Sequence, residues 1–543
     1  MRLKTHLKTY SVMLVLLLGV MCTTAAARII YVDDDGPADF SNIQAAIADS
    51  NDYDTIIVAA GTYDETIDFI GKAITLHSSD GPDVTVIDAT GLNDCVVKCI
   101  SGEGPNTLLD GFTISGGNGT DVEFSPGVFV RGGGGMYISG GSPTVTNCTF
   151  AGNGNGIYYG GGMYNANSSG PTVTYCVFSG NTANWGAGMC NRDNSNPTVL
   201  NCTFEGNTAV YYSGGMQNLN SSPTLRNCMF VGNDGGDQGG GMRNNDNSNP
   251  TVINCMFSGN VVSSAGGGMS SVSGSSPAVT DCTFNGNTGG HYGGGMVIGT
   301  DSSPTLTNCT FTGNSVISRG GGIYEAGVAT TVTNCVFDRN SATAAVNSQG
   351  GGMYAMHDSI VTNCTFTANT ADSGGGYYYY NGTLANCVFW GNLDSGGTDE
   401  SAQIHVSGTP VVNYCCIQGL TGGLGGVGNI DADPCFADVD ANDLHLMSQA
   451  GRWDPNTESW VQDANTSPCI DAGNPVDPIG LEPFPNGGIV NMGAYGGTEK
   501  ASKSYFGTPV CEKPIAGDIN GDCVVDWRDF AIMAFHWLED NNP

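Results

Sequence analysis

The chain has 543 residues and a formal net charge of −34, with 17 Lys and Arg residues against 51 Asp and Glu residues. So few basic residues exclude a surface that neutralises phosphates, and nucleic acid is therefore not an expected partner. Its 83 Gly residues follow no strict three-residue period, which excludes collagen, and a hydrophobic content of 40% excludes a disordered acidic chain.

The first 27 residues have the order of a secretory signal peptide. Arg2, Lys4 and Lys8 precede the apolar run Val12–Met21, and three alanines ending at Ala27 follow. A membrane anchor is the alternative, but an apolar run of about ten residues is shorter than the roughly 20 that a spanning helix needs. We therefore predict cleavage after Ala27 and an exported protein, either secreted or held at the cell surface without a transmembrane helix.

The segment 28–130 is predicted to form an N-terminal cap followed by irregular strands. Apolar residues in Phe40–Ala48 recur at helical spacing, with Ser41 as the candidate N-cap. A helix in this position is expected to cover the open end of the strands that follow. Short β-prone segments then lie at 54–63, 73–76, 84–87 and 108–114.

Residues 131–395 contain a repeat of about 27 residues. Each copy holds Gly-Gly-Gly-Met or a close variant, then Ser-Pro-Thr-Val or Asn-Pro-Thr-Val, and finally Asn-Cys-x-Phe with a Gly-Asn turn signal. A unit of this size cannot close its own core, so it must stack on its neighbours. The Asn-Cys-x-Phe unit recurs at Asn147–Phe150, Asn201–Phe204, Asn227–Phe230, Asn254–Phe257, Asn308–Phe311, Asn334–Phe337, Asn363–Phe366 and Asn386–Phe389.

Each copy of the repeat predicts three short strands, because Thr, Val, Ser and Gly dominate and turn signals separate the runs. Parallel stacking at about 4.8 Å per turn places each residue type above its counterpart. In the first copy the inward residues are Val145, Cys148 and Phe150, with a bend at Asn147. The predicted fold class is all-β, a right-handed parallel β-helix solenoid with internal ladders of Val, Cys, Phe and Met.

The Phe-x-Gly-Asn and Gly-Gly-Gly-Met motifs resemble the FxxN and GGA[ILV] repeats of the polymorphic outer-membrane protein family. The turn pattern is similar to that of parallel β-helix (PbH1 repeat) proteins of the pectate-lyase-like superfamily. This resemblance covers about residues 130–395 and implies the fold, whereas that superfamily includes lyases, glycoside hydrolases, adhesins and passenger domains. Residues 396–498 lose the repeat, and we predict late turns and a C-terminal rim there.

Ten of the 20 cysteines occupy one position in successive repeats. Their Cβ atoms are expected about 4.8 Å apart, beyond the usual range of about 3.5–4.5 Å in a disulfide, which predicts a reduced internal ladder. These ten are Cys148, Cys176, Cys202, Cys228, Cys255, Cys282, Cys309, Cys335, Cys364 and Cys387. The better disulfide candidates are the irregular Cys95, Cys99, Cys415, Cys416, Cys435 and Cys469.

After a linker at 499–517, residues 518–529 have the oxygen-ligand spacing of a calcium loop. The ligands would be Asp518, Asn520, Asp522, the Val524 carbonyl, Asp526 and Asp529. An acidic turn before a terminal helix is the alternative. The segment 518–543 resembles the EF-hand-like loop and helix of type I dockerins, which implies calcium as a cofactor and a cohesin-like partner. It departs from that pattern in having one loop instead of two and Cys523 in place of Gly, and a disulfide between Cys511 and Cys523 is a hypothesis.

Aromatic residues recur on the predicted surface of the solenoid. Those directly after the repeated Met position, or its Ile or Tyr variant, are predicted to face outward, and others lie four residues before it. The combined set is Tyr159, Tyr164, Trp185, Tyr212, Tyr292, Tyr324, Tyr354 and Tyr378. Rings spaced one turn apart suit sugar rings and also one another, so we predict a carbohydrate-binding surface, with mutual stabilisation of the turns as the alternative.

The catalytic residues, if any, are unknown from the sequence, because no cluster of acids and bases stands out. Two functions follow. The first is a secreted or cell-surface β-helix protein that binds polysaccharide, a cell-surface glycan or another extracellular surface and carries a calcium-binding tail. The second is a polysaccharide lyase or glycoside hydrolase of the pectate-lyase-like group. A groove that combines three acids with a neighbouring Arg would favour the enzyme.

Overall fold

The structure, a computed structural model, describes residues 27–344, 346–506, 517 and 525–536. In this part of the chain the backbone winds into a parallel β-solenoid, one sheet of which takes a strand from each of 14 turns. The predicted all-β solenoid is therefore confirmed. Strands that begin with the repeated Met are called M strands below, those with Thr-Val-Thr are V strands, and those with the repeated Phe are F strands.

The F strands form the 14-stranded sheet. They are Gly61–Tyr63, Thr85–Asp88, Thr113–Ser115, Thr149–Ala151, Val177–Ser179, Thr203–Glu205, Met229–Val231, Met256–Ser258, Thr283–Asn285, Thr310–Thr312, Val336–Asp338, Thr365–Thr367, Val388–Trp390 and Cys416–Ile417.

The M and V strands belong to one connected sheet, in which each strand pairs in parallel with its counterpart one turn away. The M strands are Ile67–Asp68, Val97–Cys99, Met136–Ser139, Met163–Ala166, Met189–Arg192, Met216–Leu219, Met242–Asn245, Met269–Ser271, Met296–Ile298, Ile323–Glu325 and Met353–Ala355. The V strands are Ile29–Val32, Thr55–Val58, Thr75–Ser78, Leu108–Asp110, Thr144–Thr146, Thr172–Thr174, Thr198–Leu200, Thr224–Arg226, Thr251–Ile253, Ala278–Thr280, Thr305–Thr307, Thr331–Thr333 and Ser359–Thr362. Tyr377–Ala385 and Ile404–Asn413 each run through both positions.

The remaining elements are short. Within the described residues the helices are Ile43–Asp49, Glu400–Gln403 and Trp527–His536. Two pairs of strands lie in the turns before the M strands, Thr182–Trp185 with Thr208–Tyr212 and Ser315–Val316 with Ser341–Ala342. Three antiparallel hairpins pair Thr120–Ser125 with Val128–Gly132, Phe436–Asp438 with Asp443–Leu446, and Arg452–Asp454 with Ser459–Val461. None of the described helices has the length and apolar character to cross a bilayer.

The predicted N-terminal helix forms, but it begins later than expected. It spans Ile43–Asp49, and its N-cap is Asn42, whose side-chain oxygen accepts the Ala45 N–H at 2.9 Å. The prediction of Ser41 as the cap is therefore wrong, because the extended backbone at Asn42 brings its amide within reach of the third helical N–H. The apolar face of the helix packs into the solenoid core, where it covers the first turn.

The inward residues of the repeat agree with the prediction. Val145, Cys148 and Phe150 are buried, and Asn147 adopts a left-handed backbone with φ of 51° that makes the bend. Successive Phe rings stack nearly parallel, with centroids 4.4–5.1 Å apart from Phe150 to Phe389. Burial of each Phe ring stabilises the fold by about 2–3 kcal/mol, so this ladder is a main source of stability.

The Asn of the Gly-Asn signal lies inside the solenoid, whereas the sequence indicated only a turn. Asn260 donates through Nδ2 to the Phe230 carbonyl and to Asn287 Oδ1, both at 2.9 Å, and its Oδ1 accepts two bonds from Asn233. The other amides of this internal ladder are paired in the same way, except at its ends, where Asn153 Oδ1 accepts the Gly117 N–H and Asn392 Nδ2 donates to Gln403 Oε1. The ladder contains Asn153, Asn181, Asn207, Asn233, Asn260, Asn287, Asn314, Asn340, Asn369 and Asn392.

The Gly-Gly-Gly sequence is required by close approach between turns. A Cβ atom on Gly162 would lie 2.5 Å from the Gly188 carbonyl oxygen and 2.7 Å from the Phe178 ring. Gly160 has φ of 62°, which only a residue without a Cβ adopts freely. The repeated glycines thus let the backbone pass between the Phe ladder and the next turn.

The periodic cysteines form the predicted reduced ladder. The Cys176 thiol donates to the Thr174 carbonyl at 3.3 Å, and the Cys176 N–H donates to the Cys202 sulfur at 3.4 Å. All 17 cysteines among the described residues are free, so the irregular cysteines form no disulfide there. The thiols of Cys95, Cys415, Cys416 and Cys435 point to backbone carbonyls instead, and Cys415 extends the ladder by one turn.

The segment predicted as a C-terminal rim folds back onto the last turns of the solenoid. Asn334 Nδ2 donates to the Ala494 carbonyl at 3.0 Å, and Asn386 Nδ2 donates to Asp477 Oδ2 at 2.8 Å. These asparagines belong to the outward-facing left-handed positions that precede each ladder cysteine. The rim therefore attaches to a repeated feature of the turns.

Candidate functional site

The residue after each M-strand Met faces away from the core, as predicted, but most members of this column are covered. Tyr164 is 3% exposed and Tyr354 is 1% exposed. The reason is that the chain approaching Gly-Gly-Gly passes over this face, so that the Tyr159 ring lies 5.3 Å from the Tyr164 ring at 16°. We call these residues the covered column, which contains Tyr137, Tyr164, Cys190, Gln217, Arg243, Ser270, Val297, Tyr324, Tyr354 and Tyr378.

In its C-terminal half the covered column is a stack of rings. The Tyr354 ring lies 5.4 Å from Tyr324 and 5.3 Å from Tyr378, with planes within 20° of parallel, and Tyr292 adds a tilted ring 4.7 Å from Tyr324. The Arg319 guanidinium covers Tyr354 at 5.2 Å. Here each ring covers its neighbour, which is the alternative role that the sequence left open.

A second row of rings lies on top of the N-terminal half and is accessible. Phe124, Tyr158, Trp185 and Tyr212 have successive centroid distances of 5.6, 6.1 and 5.1 Å. Phe124 is 40% exposed, and the other three are partly exposed. The contacts at the two ends are tilted by 58° and 88°, whereas the middle pair, Tyr158 and Trp185, lies at 23°, so only these two rings are stacked. We call these four residues the aromatic strip.

The aromatic strip includes Trp185 and Tyr212 from the predicted set, whereas Phe124 and Tyr158 were not foreseen. Tyr158 directly precedes the predicted Tyr159, which is buried beneath the strip. Phe124 belongs to a hairpin that interrupts the solenoid once. The signal that would have revealed the hairpin is Pro126-Gly127 between two β-prone runs, a common turn dipeptide.

The hairpin, Thr120–Ser125 with Val128–Gly132, encloses a groove of about 410 Å³ against the covered column. Its lining includes Tyr137 and Tyr164 together with the carboxylates of Asp121, Glu123 and Asp193. Burial raises the pKa of both tyrosine hydroxyls, so both remain protonated in neutral solution. We call this space the hairpin groove.

Arg192 fastens the hairpin to the solenoid. Its guanidinium lies 5.6 Å from the Phe124 ring and 5.1 Å from the Tyr159 ring, and Nη1 donates to the Tyr159 hydroxyl at 2.8 Å. Its Nε lies 3.5 Å from Asp193, so the positive charge is shared between the rings and this carboxylate. Three acids thus line the groove, and Arg192, which does not line it, contacts Asp193 and Phe124, which do.

Within this region two kinds of chemistry are available. Partly exposed rings offer apolar faces, while carboxylates and tyrosine hydroxyls offer hydrogen-bond partners for hydroxyl-rich ligands. Hydrolysis of a glycosidic bond requires two carboxyl groups on either side of it. Glu325, another acid in the repeats, does not contribute, because it lies in the solenoid core and burial raises its pKa.

Two predicted calcium ligands lie in the described part of the tail. Asp526 Oδ1 accepts the Arg528 N–H at 2.8 Å, and Asp529 Oδ2 accepts the Asp526 N–H at 2.7 Å. This reciprocal pattern caps the helix Trp527–His536, and both carboxylates lie at its start, at the ninth and twelfth ligand positions of the predicted loop. The other predicted residues, Asp518, Asn520, Asp522, Val524, Cys511 and Cys523, lie outside the described residues.

The chain matches the family described as "right handed beta helix region" over residues 73–238, 213–337 and 295–428. These matches span more than half of the chain, and the protein therefore belongs to this family. Residues 409–473 also match a family described as "disaggregatase related".

Two solved structures are more distantly similar to this chain. The pectate lyase Pel9A is 15% identical, with 86% of this chain and 96% of that chain covered, at a TM-score of 0.29. A pectin methylesterase mutant in complex with a hexasaccharide is 12% identical, with 74% and 91% covered, at a TM-score of 0.17. No curated protein matches the chain. At these TM-scores neither structure bears on the site.

Proposed function

We propose that this protein is an exported β-helix protein that binds polysaccharide through the aromatic strip. The observation that carries the proposal is the row formed by Phe124, Tyr158, Trp185 and Tyr212, whose rings are at least partly exposed and follow one another at 5.1–6.1 Å. Sugar rings present apolar faces that pack on aromatic side chains, and their hydroxyls bond to neighbouring acids. In the C-terminal half Tyr354 and Tyr378 are buried, and only Tyr292 and Tyr324 are partly exposed, so we assign this stack the role of holding successive turns together.

Binding to insoluble polysaccharides tests this proposal. The full chain is mixed with cellulose, chitin, mannan, xylan and cross-linked pectin, and the unbound fraction is measured. We expect retention on at least one polymer and at least a tenfold loss of affinity in Trp185→Ala/Tyr212→Ala, since each stacked ring contributes about 1 kcal/mol or more. Tyr175→Asn is the matched control, because Tyr175 is 63% exposed on another face, where most repeats have Asn.

Polysaccharide cleavage is the second candidate function. It is favoured by the hairpin groove, which Asp121, Glu123 and Asp193 line and where Asp193 lies 3.5 Å from Arg192. If the groove is catalytic, incubation with the bound polymer releases reducing or unsaturated ends, and Asp193→Asn abolishes the release while binding persists. Retention without any product would leave the protein as a binding module.

We further propose that the tail binds one calcium ion. The ligand spacing of residues 518–529 and the position of Asp526 and Asp529 at the start of the helix support this. Calorimetric titration of the full chain should detect one site, and Asp522→Ala should weaken binding at least tenfold, whereas replacing the exposed Asp64 by Asn should not. Absence of calcium binding by the parent chain would refute the proposal. A cohesin-like protein is the partner that the dockerin resemblance implies for this tail.

A further inference from the structure

The direction and length of the aromatic strip limit the shape of its ligand. Tyr158, Trp185 and Tyr212 come from three consecutive turns, and Phe124 extends the row by one more ring. The row therefore runs parallel to the solenoid axis and crosses the strands. Beyond Tyr212 the equivalent positions on the next two turns are Gln238 and Ala265, so the row ends after four rings.

The spacing of these rings fits an extended glycan. Successive centroids lie 5.1–6.1 Å apart, a distance comparable with the length of one pyranose unit in an extended chain. When each aromatic ring contacts one sugar, every sugar unit added to the ligand gains its own ring contact, up to the fourth unit. A ligand lying around the solenoid, along a strand, would meet one ring only.

Charge limits the chemistry of the ligand. Asp121, Glu123 and Asp193 line the hairpin groove beside the strip. The Arg192 guanidinium lies between Asp193 and two aromatic rings, and Arg131, which is opposite Asp121 in the hairpin, donates to Asn93, Asn118 and Gly119. Arg243, under Tyr212 at 4.3 Å, is 8% exposed, and burial lowers its pKa. An acidic polysaccharide would bring its carboxylates against the three carboxylates that line the groove, and such like-charge juxtaposition is unfavourable.

We propose that the aromatic strip binds an uncharged, extended polysaccharide that lies along the solenoid axis with one sugar unit on each of the four rings. This inference rests on the proposed polysaccharide binding and adds the orientation, the length and the charge of the ligand. Uronic-acid polymers are thereby selected against at this surface.

Titration of the full chain with defined oligosaccharides tests the inference. The probes are cello-, xylo-, manno- and chito-oligosaccharides and oligogalacturonates of two to six units, followed by tryptophan fluorescence and calorimetry. For at least one uncharged series we expect affinity to rise by at least threefold per unit up to four units and then to level off. Oligogalacturonates of equal length should bind at least tenfold more weakly.

Changes in salt concentration and in the charge of the groove distinguish electrostatic repulsion of the oligogalacturonates from a poor steric fit. The screening length falls from about 30 Å to about 3 Å between about 0.01 M and 1 M salt, so the deficit of the oligogalacturonates should shrink with added salt. Asp121→Asn/Glu123→Gln should reduce the same deficit at low salt, because it removes two of the three negative charges that line the hairpin groove. Tyr175→Asn again serves as the control.

The outcomes separate the two proposals. Tighter binding of oligogalacturonates, or affinity that is flat beyond two units, would overturn this inference while polysaccharide binding stands. If Trp185→Ala/Tyr212→Ala binds the uncharged series as tightly as the parent, the binding site lies elsewhere, and this inference is overturned as well. If neither the polymers nor any oligosaccharide binds, both the function and the inference fail.

Discussion

Glu482 in the C-terminal rim is a buried acid whose charge opposes folding. Its Oε1 accepts the N–H of Asn491 at 2.7 Å and that of Gly497 at 2.8 Å, so it joins two segments of the rim. Burial raises the pKa of this carboxyl to about 7, and the charge of the neighbouring Asp471 contributes to this rise. Asp471 is itself buried, and its pKa is also raised by burial. Loss of the proton from either buried carboxyl destabilises the fold, so both groups lower the stability of the protein as the pH rises.

The sign of the pH effect follows from the two states of Glu482. In the unfolded chain the carboxyl loses its proton near pH 4.5, whereas in the folded chain it keeps the proton until about pH 7. The contribution of Glu482 to the free energy of unfolding is therefore complete below about pH 4.5. It is lost as the pH rises to 7, by about 3 kcal/mol, because a difference of one pKa unit corresponds to about 1.4 kcal/mol.

Glu482→Gln, which keeps the Oε1 acceptor, should remove this dependence. Urea unfolding of both proteins across the range should show the variant gaining stability relative to the parent as the pH rises from 4.5 to 7. The difference between the two curves isolates Glu482 from the many other carboxyls of the chain. A constant difference over the whole range would contradict the raised pKa.

At the scale of elements, the internal Asn ladder joins each turn to the next. Replacing Asn260 by Ala leaves the Asn233 amide without its acceptor and the Phe230 carbonyl without its donor, all in the buried core. Since each unsatisfied buried group costs about 1–3 kcal/mol, we expect a loss of about 3 kcal/mol or more in the free energy of unfolding. Urea denaturation measures it.

The matched control for Asn260→Ala is Asn227→Gly. Asn227 also bonds to its counterparts on adjacent turns, at 3.0 and 2.8 Å, but it faces solvent, and Gly accepts its left-handed backbone. Water replaces its lost partners, so this change should cost about 1 kcal/mol or less. Equal losses in the two variants would mean that the internal ladder is not a special source of stability.

The same comparison of elements explains what the sequence predicts and what it does not. The inward Val145, Cys148 and Phe150 were identified correctly because the pattern recurs in ten repeats and a solenoid stacks like on like. The cover over Tyr164 was missed because it depends on how the turn before each M strand folds, and the repeat does not encode that. The hairpin that supplies Phe124 occurs once, so periodicity carries no information about it.

At the scale of the whole molecule, a solenoid is held together by contacts between neighbouring turns, so local changes stay local. The N-terminal end is covered by the helix Ile43–Asp49, and the last turns are held by the rim. Asn386 is the point where the rim and the turns meet: Nδ2 donates to Asp477 at 2.8 Å and to Asn363 at 3.0 Å, and Oδ1 accepts the Asn474 N–H at 2.7 Å.

Asn386→Gly should therefore loosen the rim and leave the rest of the solenoid unchanged. Gly retains the left-handed backbone, with φ of 55° in the parent, and removes only the amide. Losing these bonds, each worth about 1 kcal/mol, should speed hydrogen exchange in residues 471–497 by about 10- to 100-fold. The equivalent Asn254→Gly, on a turn without the rim, should not affect that segment. Faster exchange throughout the F strands, Thr149–Ala151 included, would instead show that the rim stabilises all turns together and that the solenoid unfolds as one unit.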